Sequence, residues 1–210
     1  MPTLNPDHFL DQAERAVEQA TGRPRQVDLR RAISSCYYGI FHLTLAALAD
    51  EFVGIGNRNT ARYALVYRSL DHRRLREVCV EVGRTTAAGR YAAYLPRVGL
   101  ASELRLFATS VIEAQQGRHS ADYDPLATFK AEDVRVAVAT ARQAIRSFAQ
   151  VAAEERRLFL TLLLCPPGKL PLHSVVIGVY PAFPCRGGGI RLGYARHWAD
   201  SSHRGAYAAL

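Results

Sequence analysis

Arg118, His119, Asp122 and Tyr123 stand together in the stretch RHSADYDP. A guanidinium can hold a phosphate bidentately. A phenol can stack or donate a hydrogen bond, and an imidazole can move a proton near neutral pH. Metal-independent cleavage of RNA needs a base or acid near the 2′-hydroxyl and a cation at the phosphate. Arg118 could supply the cation, and His119, or His72 beside Asp71, could move the proton. The same residues have a plainer use in a local turn, with Asp122 capping backbone N–H groups and Arg118 pairing with a carboxylate. No nucleophile–base–orienter constellation and no metal quartet stand out. His173, His197 and His203 lack metal-ligand spacing, so neither a metal nor another cofactor is expected.

A second group of chemistry-bearing residues precedes this one. Arg68, Arg73, Arg74 and Arg76 fall on the polar side of a helical segment, and Arg84, Arg90 and Arg97 extend the run past Tyr91 and Tyr94. Arginines with nearby aromatics suit single-stranded RNA, through phosphate pairing and base stacking. A solvated arginine face with tyrosines packed at a turn is the alternative. The net charge of +8 comes almost wholly from arginine, since Lys130 and Lys169 are the only lysines. Such a balance attracts polyanions.

The helices that must position these groups are organised around Asp28–Glu51 (DLRRAISSCYYGIFHLTLAALADE), which bears no charge between Arg31 and Asp50. Leu29, Ile33, Cys36, Ile40, Leu43 and Ala47 recur on one helical face, and Tyr38, Phe41, Leu45 and Leu48 cover another. A helix apolar on most sides is a buried one. Its length also allows a membrane span, but the Ser, Tyr, His and Thr side chains within it would be costly in lipid. No membrane partner is therefore expected.

Around this helix the pattern predicts four more. The first opens at Asn5-Pro6, carries Phe9, Ala13, Ala16, Val17 and Ala20, and ends at Thr21–Pro24. After a loop at Gly54–Asn57, residues 61–83 read as one helix with Leu65, Leu75, Val78 and Val82 inward. The next runs from about Pro96 to Gln116, with Gly117 as its stop and GRHSADYDP as a turn. The last is capped by Thr128 and carries Val134, Val138, Ala141, Ile145, Phe148 and Ala152, a seam for a bundle or a dimer. Helical pattern continues through EERRLFLTLLLC. The expectation is an all-α, up-and-down bundle of about five helices over residues 1–165, followed by a poorly ordered Gly/Pro/Arg-rich tail over 166–210. Four cysteines without CxxC pairing, and an N-terminus unlike a signal peptide, point to a cytoplasmic protein.

Three segments, in order, resemble the HEPN-domain family. RRAISSCYYGIFH (Arg30–His42) is similar to its central-helix pattern, in which an Arg precedes paired Tyr, a small residue and Phe-His. VYRSLDHRRLREVC (Val66–Cys79) and RHSADYDP (Arg118–Pro125) fit its small prokaryotic branch, the latter as an RxxADYDP element. The resemblance covers about residues 4–155. It implies an up-and-down bundle, usually a homodimer, that binds RNA or nucleotide, either as the toxin-like half of a toxin–antitoxin or defence module beside a nucleotidyltransferase-type antitoxin, or as a metal-independent ribonuclease. The nuclease branch uses an Arg and a His separated by four to six residues. Here Arg118 matches the Arg, but His119 follows it directly. The pairs with the family spacing, Arg191/His197 and Arg196/His203, fall in the tail.

Three readings follow: an RNA- or nucleotide-binding bundle, a ribonuclease using Arg118 with His119 or His72, and a non-catalytic helical adaptor for a protein partner.

Overall fold

The computed structural model describes residues 4–18, 22–86, 89–97 and 99–168. Most of the expected tail, 169–210, lies outside the described residues, and the tail's Arg/His pairs with it. Among the described residues the fold is all-α, with seven α-helices: α1 (Pro6–Glu18), α2 (Gln26–Val53), α3 (Ala61–Tyr67), α4 (His72–Val82), α5 (Ser102–Tyr123), α6 (Ala131–Gln150) and α7 (Ala153–Leu164).

The 28 residues of α2 form the axis of the bundle, packed against α1, α3, α5, α6 and α7. At 1.5 Å per residue the helix is about 42 Å long, the length of a membrane span and more. It is also the one described helix long and apolar enough to cross a membrane. Here its residues are covered instead: Leu29, Ile33, Cys36, Tyr37, Ile40, Leu45 and Leu48 are all buried. Gly39 lets α1 approach closely, because a Cβ there would lie 3.2 Å from Leu10 Cδ2 and from the Pro6 carbonyl. Gly54, at φ 94°, ends the helix in a backbone region that glycine tolerates best. Where α2 starts, the Gln26 amide brackets the Phe129 backbone, donating to its carbonyl at 2.7 Å and accepting from its N–H at 2.9 Å.

Several boundaries differ from those expected. The segment 61–83 is two helices, because Asp71 caps a new one by accepting from Arg74 N at 2.7 Å, just as Thr60 caps α3. Apolar spacing alone cannot register such a break. Leu65 is consequently exposed, while Tyr63 on the same short helix is buried. α6 begins after Lys130 rather than Thr128, with Asp133 accepting from Lys130 N at 2.7 Å. The continuation EERRLFLTLLL is a separate helix, α7, whose Phe159 joins Phe107 and Phe148 in an aromatic cluster with ring centroids 4.6–6.2 Å apart.

Candidate functional site

Arg118, His119, Asp122 and Tyr123 occupy the last two turns of α5. The expected turn at GRHSADYDP is corrected: the chain stays helical through Gly117, whose missing Cβ would rest 3.5 Å from Ile33 Cγ2 of α2. Close helix packing, not a stop, explains that glycine. Helical spacing sets Arg118 and Asp122 one turn apart, with Nε 2.7 Å from Oδ2. Asp122 caps no turn. Its other oxygen accepts from Ser34 Oγ of α2 at 2.5 Å. Arg118 Nη2 donates to Tyr38 Oη at 3.2 Å and to Tyr123 Oη at 3.4 Å, and its charge lies over both rings at 5.7 and 5.3 Å. Burial works against that charge, but the Tyr38 hydroxyl, with Asp122 and Tyr123, outweighs it and holds the group above its ordinary range.

Immediately beyond, Arg30 of α2 closes the end of α5. Its guanidinium donates to the carbonyls of Ala121 at 3.0 Å, Asp124 at 2.9 Å, Pro125 at 3.5 Å and Ala127. Ala121 is in the last turn of α5, where carbonyls lack intrahelical partners, and the others are in the segment just after it, so Arg30 caps the helix and pins the chain that leaves it. Arg31 is exposed. Of the two arginines, Arg30 is the structural one.

His72 is the first residue of α4. Its Nδ1 lies 2.8 Å from Tyr37 Oη, and its ring packs 4.2 Å from Phe41 and 6.2 Å from Tyr38. Gln115 of α5 donates to the His72 carbonyl at 2.9 Å. Tyr38 therefore stands between His72 and Arg118, which brings two of the sequence candidates into one cluster. A parallel arrangement holds His42, with Nδ1 2.8 Å from Tyr67 Oη and its ring stacked on Phe9. Burial lowers both histidines from their usual range; the Arg118 charge adds to this at His72, against Asp71, and His72 adds to it at His42. Burial pushes the Tyr37 hydroxyl up. Neutral imidazoles beside protonated phenols are the outcome. His72 Nε2 has no hydrogen-bond partner among the described residues, so it is the nitrogen that could exchange a proton. His119 is exposed and packs 5.2 Å from the Tyr123 ring.

The basic run forms two adjoining clefts. Arg73, Arg76, Arg84 and Arg90, with Glu77 and Glu81 between them, line an open groove of about 600 Å³. Arg76, Gln115, Gln116, Arg118 and His119 line a second cleft of about 270 Å³. Arg76 borders both. The ion pairs in the groove are long: 3.9 Å for Arg73–Glu77, 3.4 Å for Arg90–Glu77 and 3.6 Å for Arg84–Glu81. The Arg76 side chain has no partner among the described residues.

Not every expected RNA contact survives. Tyr91 is 4% exposed and lies beneath Arg90, so it is no stacking platform; Tyr94, 47% exposed, is accessible. Arg74 turns inward to the Leu163 carbonyl at 3.4 Å, and Arg68 bonds the Ala64 carbonyl of its own helix. Neither lines the groove. Ser34 and Gln115 were missed. Ser34 had a signal, since Arg30, Ser34 and Tyr38 are polar at four-residue spacing on a helix otherwise apolar. Gln115 had none. Among the described residues no group of three His, Cys, Asp or Glu side chains could hold a metal ion. Comparison with protein-family models, curated proteins and solved structures found no match to this chain.

Proposed function

We propose that this is a HEPN-like RNA-binding helical protein, and that single-stranded RNA runs along the two clefts joined at Arg76. The observation that carries the reading is this continuous cationic track, in which Arg73, Arg76 and Arg84 hold only long ion pairs or none, and Arg90 a long pair with Glu77 beside its contact with Tyr91. Loosely paired arginines exchange a carboxylate for a phosphate at little cost. The family resemblance gains support from contact between its segments. Arg30 and Ser34 of the first bond the third, and Tyr37 of the first bonds His72 of the second. A homodimer, a place in a toxin–antitoxin or defence module and a nucleotidyltransferase-type partner are carried by the resemblance alone.

A metal-independent ribonuclease is the second reading, favoured by His72. Its lowered basicity suits it to take a proton near neutral pH, and it packs on Tyr38, whose hydroxyl accepts from Arg118. Against it, the Asp122 carboxylate already occupies Arg118 at 2.7 Å. One experiment addresses both. Purified protein is titrated with labelled single-stranded RNA in EDTA, at several salt concentrations, beside Arg73→Ala/Arg76→Ala and Arg118→Ala variants. Binding that weakens steeply with salt and is lost in the double variant supports the track; EDTA-resistant cleavage lost in Arg118→Ala adds the nuclease. If RNA neither binds nor is cut, the proposal is wrong and a protein-binding adaptor remains.

A further inference from the structure

Three buried side-chain polar atoms among the described residues lack a well-directed hydrogen-bond partner: Glu81 Oε2, Gln115 Oε1 and Arg118 Nε. Arg118 Nε is close to Asp122 Oδ2, at 2.7 Å, but its N–H points off the line. All three residues line the clefts that meet at Arg76. Buried polar groups in folded proteins are nearly always paired. Glu81 Oε2 faces Arg84 Nη1 at 3.6 Å and Arg118 Nε faces Asp122, which leaves Gln115 Oε1 as the atom whose partner must come from water or a bound molecule.

Gln115 is the most informative of the three. Its Nε2 donates to the His72 carbonyl at 2.9 Å, which fixes the amide orientation, because a reversed amide would set two oxygens against each other. Oε1 is therefore an acceptor in want of a donor. The Gln115 side chain lines the cleft with Arg118 and with Arg76, Gln116 and His119, which are exposed, while Oε1 itself is buried, so a ligand reaches it as an exposed neighbour moves aside. A backbone phosphodiester cannot satisfy it, having no proton to give, although the neighbouring arginines suit one. In a nucleic-acid backbone the group that donates next to a phosphate is the ribose 2′-hydroxyl, which DNA lacks.

We infer that Gln115 Oε1 accepts the 2′-hydroxyl of a bound ribonucleotide whose phosphate is held by Arg76 and Arg118, so that this cleft selects RNA over DNA. The inference rests on the RNA-binding reading and names its discriminating residue. The test uses the full chain and fluorescence anisotropy with one single-stranded sequence in three forms: RNA, DNA, and 2′-fluoro RNA, which keeps the ribose pucker but cannot donate. RNA is expected to bind about fivefold tighter than either of the others, the worth of one neutral hydrogen bond. Gln115→Met should erase that preference while leaving the salt slope of RNA binding unchanged, with circular dichroism verifying its fold. Equal binding of RNA and 2′-fluoro RNA by the unaltered protein overturns the inference and leaves RNA binding standing. A preference that follows the base sequence instead of the sugar also overturns it, since a base N–H would then be the donor. Absence of binding to all three removes the inference and the RNA reading together.

Discussion

At the C-terminal end of α5, the arginines are bound to the fold. Arg30 is spent on four carbonyls, and Arg118 on a carboxylate and two phenols. Along α4 and just beyond it, Arg73, Arg76, Arg84 and Arg90 reach into an open groove with long ion pairs or none. The two regions have the same side-chain chemistry and sit side by side, meeting where Arg76 and Arg118 line one cleft. The difference teaches that arginines of like chemistry differ in availability with what faces them. What closes the end of α5 is largely what holds it together, whereas the arginines along α4 and just beyond it are left open to solvent.

The strongest way to break this contrast is to remove the groove charge. A variant with Arg73, Arg76, Arg84 and Arg90 all changed to Gln should bind single-stranded RNA about a hundredfold more weakly near 0.1 M salt, since each lost phosphate contact takes about 0.7 from the salt slope. Its melting temperature should hardly move, because exposed pairs of this kind contribute little. A variant that unfolds would show the groove to be structural after all. Arg30→Ala should do the reverse: a loss of about 2 kcal/mol in urea unfolding, from charged donors withdrawn from helix-end carbonyls, with the salt slope of RNA binding intact. Arg118→Ala lies between them. About 1 kcal/mol of stability should go, and the salt slope should fall by about 0.7, as for a single contact. An unchanged slope would place Arg118 wholly with the structural group.

The smallest effect concerns pH and the histidines beside this boundary. His42 and His72 hold protons less readily in the folded chain than in the unfolded one. The unfolded state therefore binds more protons, and stability rises with pH across their range. The histidine contribution should be fully present above about pH 6.5, the ordinary histidine value, and be lost as pH falls below it through the folded values. Thermal melts between pH 7.5 and 5.5 should shift downward in the native protein. A His42→Gln/His72→Gln variant should shift less; an identical shift would assign the effect to other groups.

Reading residues in order served α2 well, because period and burial coincide there: Ile33, Cys36, Ile40, Phe41 and Leu45 are all in the core. It failed where a polar residue is satisfied across helices. Gly117 and the polar run after it read as a turn, yet they are helical because Ile33 packs on the glycine and Ser34, Tyr38 and Arg30 meet the polar groups. By its neighbours in sequence Tyr91 fits an RNA surface or a packed turn equally well, and its neighbours in space bury it. Both cases have one cause, since local composition records hydrophobicity and not partnership.

The sequence by itself determined that the chain is helical and that α2 is buried, because helical period and the absence of charge depend only on the order of residues. Its arginine excess likewise set the sign of the net charge, +8. Only the tertiary structure decided which arginines are committed and which remain open to a ligand. Commitment depends on carbonyls and carboxylates delivered by other helices, 91 residues away for Arg30 and Ala121, and no local pattern encodes that distance.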